Sequence, residues 1–144
     1  MKNFKTTVYI LSWVLFASIS YAHCQIPCGI YDDRLRIKQL HEDVETLHKS
    51  VKEINRLSVA ESSKTSQQFV RWVNNKEAHA EHIITVMTDY FLTQRVKPSQ
   101  NDYSKRLEHH HAVIINAMKV KQSSLEEAVL TLKESLQVLE QYYQ

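Results

Sequence analysis

An antiparallel up-down four-helix bundle, all-α, is the fold this sequence predicts, and three observations predict it. The chain of 144 residues holds a single glycine and two prolines, where average usage of about 7% would supply on the order of ten glycines. Its apolar residues recur at helical spacing in four stretches. The connections between those stretches are short, so consecutive helices run antiparallel. Folds built on tight turns or on glycine loops that cradle phosphates lack their raw material, which excludes P-loop, dinucleotide-binding and multi-strand β readings. With 43% hydrophobic residues in one globular domain, the core is adequate but not generous.

The first element is a leader. Lys2 and Lys5 precede an apolar run from Val8 to Ala17, which Ser18-Ile19-Ser20-Tyr21-Ala22 follows. The run is short of the roughly 20 apolar residues a membrane-spanning helix needs, and Ser20 and Ala22 are the small side chains of a cleavage site. No basic cluster follows Ala22 to stop transfer. Residues 1–22 are therefore expected to be an export signal removed by signal peptidase, leaving His23 first and the protein periplasmic or extracellular. The net charge of +2 comes entirely from Lys2 and Lys5, so the exported chain is neutral and nucleic acid is not an expected partner.

Residues 32–144 carry the bundle. Ile37, Leu40, Val44, Leu47, Val51 and Ile54 alternate at spacings of three and four, a single helical stripe. Phe69, Trp72, Val73, Ala80, Ile83, Met87, Tyr90 and Phe91 mark a second helix after a softer break around residues 58–66. It ends near Lys97-Pro98, since proline disfavours helix before it. Leu107, Ile114, Ala117 and Met118 give a third helix. Leu125, Val129, Leu132, Leu136, Leu139 and Tyr143 give a fourth, for which Ser124 and Glu127 have the spacing of a capping box.

Between leader and bundle, residues 23–31 gather both cysteines, the glycine, one proline and a histidine: His23-Cys24-Gln25-Ile26-Pro27-Cys28-Gly29-Ile30-Tyr31. On spacing alone, two readings stand level. An exported protein tolerates a disulfide, although a bridge across three residues closes a very small loop and stabilises little. Alternatively, cleavage before His23 frees an α-amine, and the segment then offers one metal that amine, the His23 imidazole, the Cys24 amide nitrogen and the thiolates of Cys24 and Cys28. Thiolates with nitrogen donors in a plane suit nickel(II) or copper(II). Zinc is poorly served, because no second ligand pair follows at finger spacing.

The segment His23-Cys24-x-x-Pro27-Cys28-Gly29-x-Tyr31 resembles the nickel hook of nickel-containing superoxide dismutases, and the likeness extends more weakly through Asp32 and Asp89-Tyr90-Phe91. The resemblance implies a four-helix bundle with an N-terminal metal-binding hook, one nickel per chain held by His23, Cys24 and Cys28, superoxide as substrate, and a homohexamer. It also implies that Tyr31 stands near the open face of the nickel, with Tyr90 the second nearby tyrosine. There are departures. Gln25 stands where an acidic residue is common, and the Glu and Arg that hold the axial imidazole in the family have no counterparts, Lys38 or Gln39 and Asn75 or Lys76 occupying those regions. The alternative function is a non-enzymatic exported protein that binds nickel or copper.

The remaining histidines read differently. Glu45-x-x-His48 and Glu108-x-x-His111 have the spacing of di-iron bundle ligands, but the helical stripe puts neither pair on an inward face. His79, His82 and the run His109-His110-His111 are expected at surfaces or interfaces. Arg34, Arg36, Arg71 and Arg95 are the cations available to attract an anionic substrate.

Overall fold

The computed structural model describes residues 31–59 and 63–144. The fold is the expected one: four helices and, among the described residues, no strand. Helix α1 spans Asp33–Leu57, α2 spans Ser63–Thr85 and continues as a π-helical segment Val86–Arg95, α3 spans Tyr103–Gln122, and α4 spans Glu126–Glu140, closing with a 3-10 turn Gln141–Tyr143. Each helix packs against its two neighbours around the bundle, α4 returning to α1. No helix among the described residues is long and apolar enough to cross a membrane.

Helix α1 starts at Asp32, whose carboxylate accepts from the backbone N–H of Arg34 at 2.9 Å and of Leu35 at 3.3 Å. This satisfies two of the donors a helix N-terminus leaves open. The predicted stripe from Ile37 to Ile54 is buried throughout. In α2 the buried apolar residues are Ala80 and Ile83, followed in the π segment by Met87, Tyr90 and Phe91. Phe69, Trp72 and Val73, expected in the core, are only half-buried.

Threonine hydroxyls along the π segment donate to backbone carbonyls of the preceding turn. Thr88 Oγ1 donates to the carbonyls of Ile84 at 3.1 Å and Thr85 at 3.2 Å, and Thr93 Oγ1 donates to that of Thr88 at 2.6 Å. Val96 N–H then closes on the carbonyl of Phe91, five residues back, at 3.1 Å.

Two expectations about the second half are corrected. Leu107 and Met118 are exposed, and the inward face of α3 is His110, Val113, Ala117 and Val120. A histidine in the seam hid the true period: His110 is completely buried, against the expected surface placement, because both ring nitrogens have hydrogen-bond partners. Nor does Ser124 cap α4. The N-cap is Leu125, without a side-chain cap bond, so the helix starts one residue late and Glu127 misses the third helical position a capping box requires.

Lys76, 3% exposed, fastens α2 to α3. Its ammonium donates to the carbonyls of Val120 at 2.7 Å, Lys121 at 2.6 Å and Ser123 at 3.0 Å. A cation thereby closes the negative end of the α3 dipole and satisfies carbonyls the helix end leaves open.

Candidate functional site

His23, Cys24 and Cys28 lie outside the described residues; Tyr31 is where the structure takes up the chain. The surroundings of Tyr31 are built by α1 and the π segment. The Tyr31 ring meets Tyr90 edge-on, with centroids 6.3 Å apart, and the Arg36 guanidinium lies 4.7 Å from the Tyr31 ring centre and 5.9 Å from that of Tyr90. One cation thus holds two aromatic faces, within cation–π range of both. Arg36 is steadied in turn by donating to Gln39 Oε1 at 2.9 Å.

The two phenols are in different states. Tyr90 is 2% exposed and its hydroxyl donates to Asp33 Oδ1 in a short hydrogen bond. The same hydroxyl oxygen accepts from Arg95 at 2.7 Å, while Arg95 Nε donates to Asp33 Oδ1 at 2.6 Å. Burial, reinforced by the bond to Asp33, pushes the Tyr90 phenol above its ordinary pKa. Its proton is therefore committed to Asp33 at any physiological pH. Tyr31 is 36% exposed, and its hydroxyl has no partner among the described residues. The outer phenol is exposed and, among the described residues, uncommitted, and the inner one is a fixed support.

The signal for Asp33 and Arg95 was weak in the sequence. Arg95 stood among four candidate cations, and nothing in the residue pattern pairs it with Asp33, 62 positions away. Of the others, Arg34 is exposed. Arg71 lines a surface hollow with Gln68, Trp72 and Asn75, on the order of 28 Å along the helix from Tyr90 at 1.5 Å per residue. Arg36 and Arg95 are the two cations the fold brings to Tyr31 and Tyr90.

The positions where the resemblance looks for a Glu and an Arg are otherwise engaged. Gln39 accepts from Arg36, Asn75 donates to Ser50 Oγ at 3.0 Å, and Lys76 is occupied with α3. Asp43, 6% exposed, accepts from Nδ1 of His79 and of His82, both at 2.7 Å, clamping α1 to α2. The di-iron spacings fail: Glu45 pairs with Lys133 at 2.6 Å, His48 faces Glu126 at 3.7 Å, and Glu108 and His111 are exposed. Among the described residues no group of three or more His, Cys, Asp or Glu is disposed to hold a metal ion.

Neither a curated protein nor a solved structure matches the chain. A family model does, over residues 18–144: that of nickel-containing superoxide dismutase.

Proposed function

Because the chain belongs to the nickel-containing superoxide dismutase family, we propose that it converts superoxide to O2 and H2O2 by Ni(II)/Ni(III) cycling at the hook of residues 23–31, with His23, Cys24 and Cys28 as the nickel ligands. Superoxide dismutase activity and a nickel cofactor belong to the family, and membership decides against the non-enzymatic alternative.

The donor set fits nickel. Two thiolates, a deprotonated amide and a terminal amine are electron-rich donors that favour the higher oxidation state, and the His23 imidazole adds a fifth donor. When bound, nickel supplies a one-electron couple poised between the oxidation and the reduction of superoxide. The described part of the bundle offers no rival site. Export with removal of residues 1–22 is part of this reading, since the amine and imidazole of His23 serve together only when His23 is the first residue.

The observation that carries the reading is the placement of Tyr31. It is the last residue of the hook segment, and Arg36 and Tyr90 fix its ring. With nickel bound, Tyr31 would act as a gate to the metal, its hydroxyl, unpartnered among the described residues, placed to hydrogen-bond superoxide or water. Arg36 gives the entrance a positive charge at short range, where a chain that is neutral once residues 1–22 are removed has no long-range field to offer. Tyr90, its proton held on Asp33, backs Tyr31 without giving up a proton.

A homohexamer is also part of the proposal. Leu107, Ile115 and Met118 on α3 and Leu130 and Val138 on α4 are large apolar side chains left exposed, which association would cover.

The test is substitution in the hook. His23→Ala is expected to keep some nickel and lose most activity, whereas Cys24→Ser and Cys28→Ser lose both. Full dismutase activity in a Cys28→Ser protein would end the assignment.

A further inference from the structure

The end of the bundle where α4 closes on α3 holds a second arrangement capable of redox chemistry. The Tyr143 hydroxyl donates to His110 Nε2 at 2.7 Å, and His110 Nδ1–H donates to the carbonyl of Arg106 at 2.6 Å. Together the two bonds set the tautomer, with the proton on Nδ1 and the Nε2 lone pair facing the phenol. Burial holds the His110 pKa below its ordinary value, so the ring is neutral and its lone pair is available. Burial also pushes the Tyr143 phenol up, so it keeps its proton as long as it keeps its electrons. Loss of one electron reverses this, because a phenol radical cation is a very strong acid with a base already within hydrogen-bond reach.

The pair is joined to the Tyr31 end by ring contacts. Centroids are 6.3 Å apart for Tyr31 and Tyr90, 5.0 Å for Tyr90 and Phe91, and 4.6 Å for Phe91 and Tyr143. Beyond it, Tyr142 stacks on His110 at 6.4 Å, and its hydroxyl hydrogen-bonds to His109 Nδ1 at 2.8 Å. The Arg106 guanidinium lies 4.3 Å from the Tyr142 ring centre and also acts on the Tyr143 phenol, so it does not separate the two rings. Tyr143 is distinguished by its base, a buried imidazole whose tautomer the Arg106 carbonyl sets.

We propose that Tyr143 and His110 form a redox-active site that receives oxidising equivalents through the Tyr31, Tyr90 and Phe91 rings, Tyr143 giving up an electron while its phenolic proton passes to His110 Nε2. The O–H bond of Tyr143 breaks and an N–H bond forms on His110. The electron goes to a hydroxyl-radical-class oxidant derived from peroxide, the product of dismutation, and reduces that oxidant to hydroxide; nickel, when bound, would supply the one-electron chemistry that generates it. A soluble thiol or ascorbate-type reductant returns the electron, and the proton moves back to the phenolate oxygen. The source of the oxidant rests on the dismutase reading; the chemistry of the pair does not.

The experiment separates the two. Photogenerated tris(bipyridine)ruthenium(III) is applied to the full chain without nickel, and the radical is trapped by freeze-quenching and read by electron paramagnetic resonance. A tyrosyl signal is expected that falls several-fold in Tyr143→Phe, which keeps the ring. It also falls in His110→Gln, which accepts a hydrogen bond but cannot take the proton, and it persists in Tyr142→Phe. An undiminished signal in Tyr143→Phe or His110→Gln, or a signal lost in Tyr142→Phe, overturns the assignment. If Tyr143→Phe folds poorly, 3-fluorotyrosine at position 143 replaces it: fluorine hyperfine splitting supports the site, and its absence overturns it. Peroxide added to nickel-loaded protein is then expected to raise the same signal. Nickel-loaded protein that gives the signal with ruthenium but none with peroxide overturns the link to the metal.

Discussion

Arg95 donates a hydrogen bond to the Tyr90 hydroxyl at 2.7 Å although the two residues stand five apart on one helical element. In an α-helix, positions five apart are separated by about 140° around the axis and cannot meet in this way. The π-helical winding of Val86–Arg95 brings them closer to one face. Asp33 on α1 then accepts from both, so a local irregularity of the helix becomes a three-residue lock behind Tyr31.

Arg95→Gln breaks that lock. It leaves Asp33 without its cation and Tyr90 without a charged donor, and the expected cost is about 2 kcal/mol of stability, the usual size for a hydrogen bond to a charged group. Urea denaturation measures it. Nickel content is expected to be unchanged and superoxide turnover to fall, since Tyr31 loses a rigid backing. Unaltered turnover would show that the lock serves folding alone.

Much of the fold was legible in the sequence and some of the site was not, for identifiable reasons. The α1 stripe needed only periodicity, because its apolar members from Ile37 to Ile54 recur without a gap and the buried polar residues there, Asp43 and Ser50, fall between them. Helix α3 misled because His110 fills a core position and Leu107 and Met118 are apolar but exposed. The π segment has no residue signature of its own, and with it the Arg95–Tyr90 contact stayed hidden. The Asp33–Arg95 pair joins two helices across 62 positions, which no local pattern can announce.

Stability should decline with acid in a way that traces to His110. Burial lowers its folded pKa, so below about pH 6.5, the ordinary histidine value, the unfolded chain takes up a proton the folded one refuses. The contribution is present above that pH and is lost as pH falls toward the folded pKa. In urea titrations between pH 7 and 5, His110→Gln is expected to flatten the pH dependence relative to the unaltered protein.

At the alkaline end the sign reverses. Tyr90 and Tyr143 both have raised pKa values, burial being the leading cause in each. Above about pH 10, the ordinary tyrosine value, the unfolded chain loses protons that the folded chain keeps. Stability is full below that pH and is lost as pH rises toward the folded values. Spectrophotometric titration should find two phenols that ionise only with unfolding.

Lys76→Met tests the fastening of α2 to α3. The apolar side chain fills similar space but leaves the carbonyls of Val120, Lys121 and Ser123 without their donor. A loss of about 3 kcal/mol is expected from unsatisfied groups in a buried setting, read as a lower urea midpoint with an unchanged slope.

The most direct test of the account is nickel content by elemental analysis on protein purified after native export, with intact mass determined on the same sample. The account predicts about one nickel per chain, the metal its thiolate and nitrogen donors suit, on a chain whose mass begins at His23. Zinc, copper or no metal on a chain correctly cleaved before His23 would contradict it.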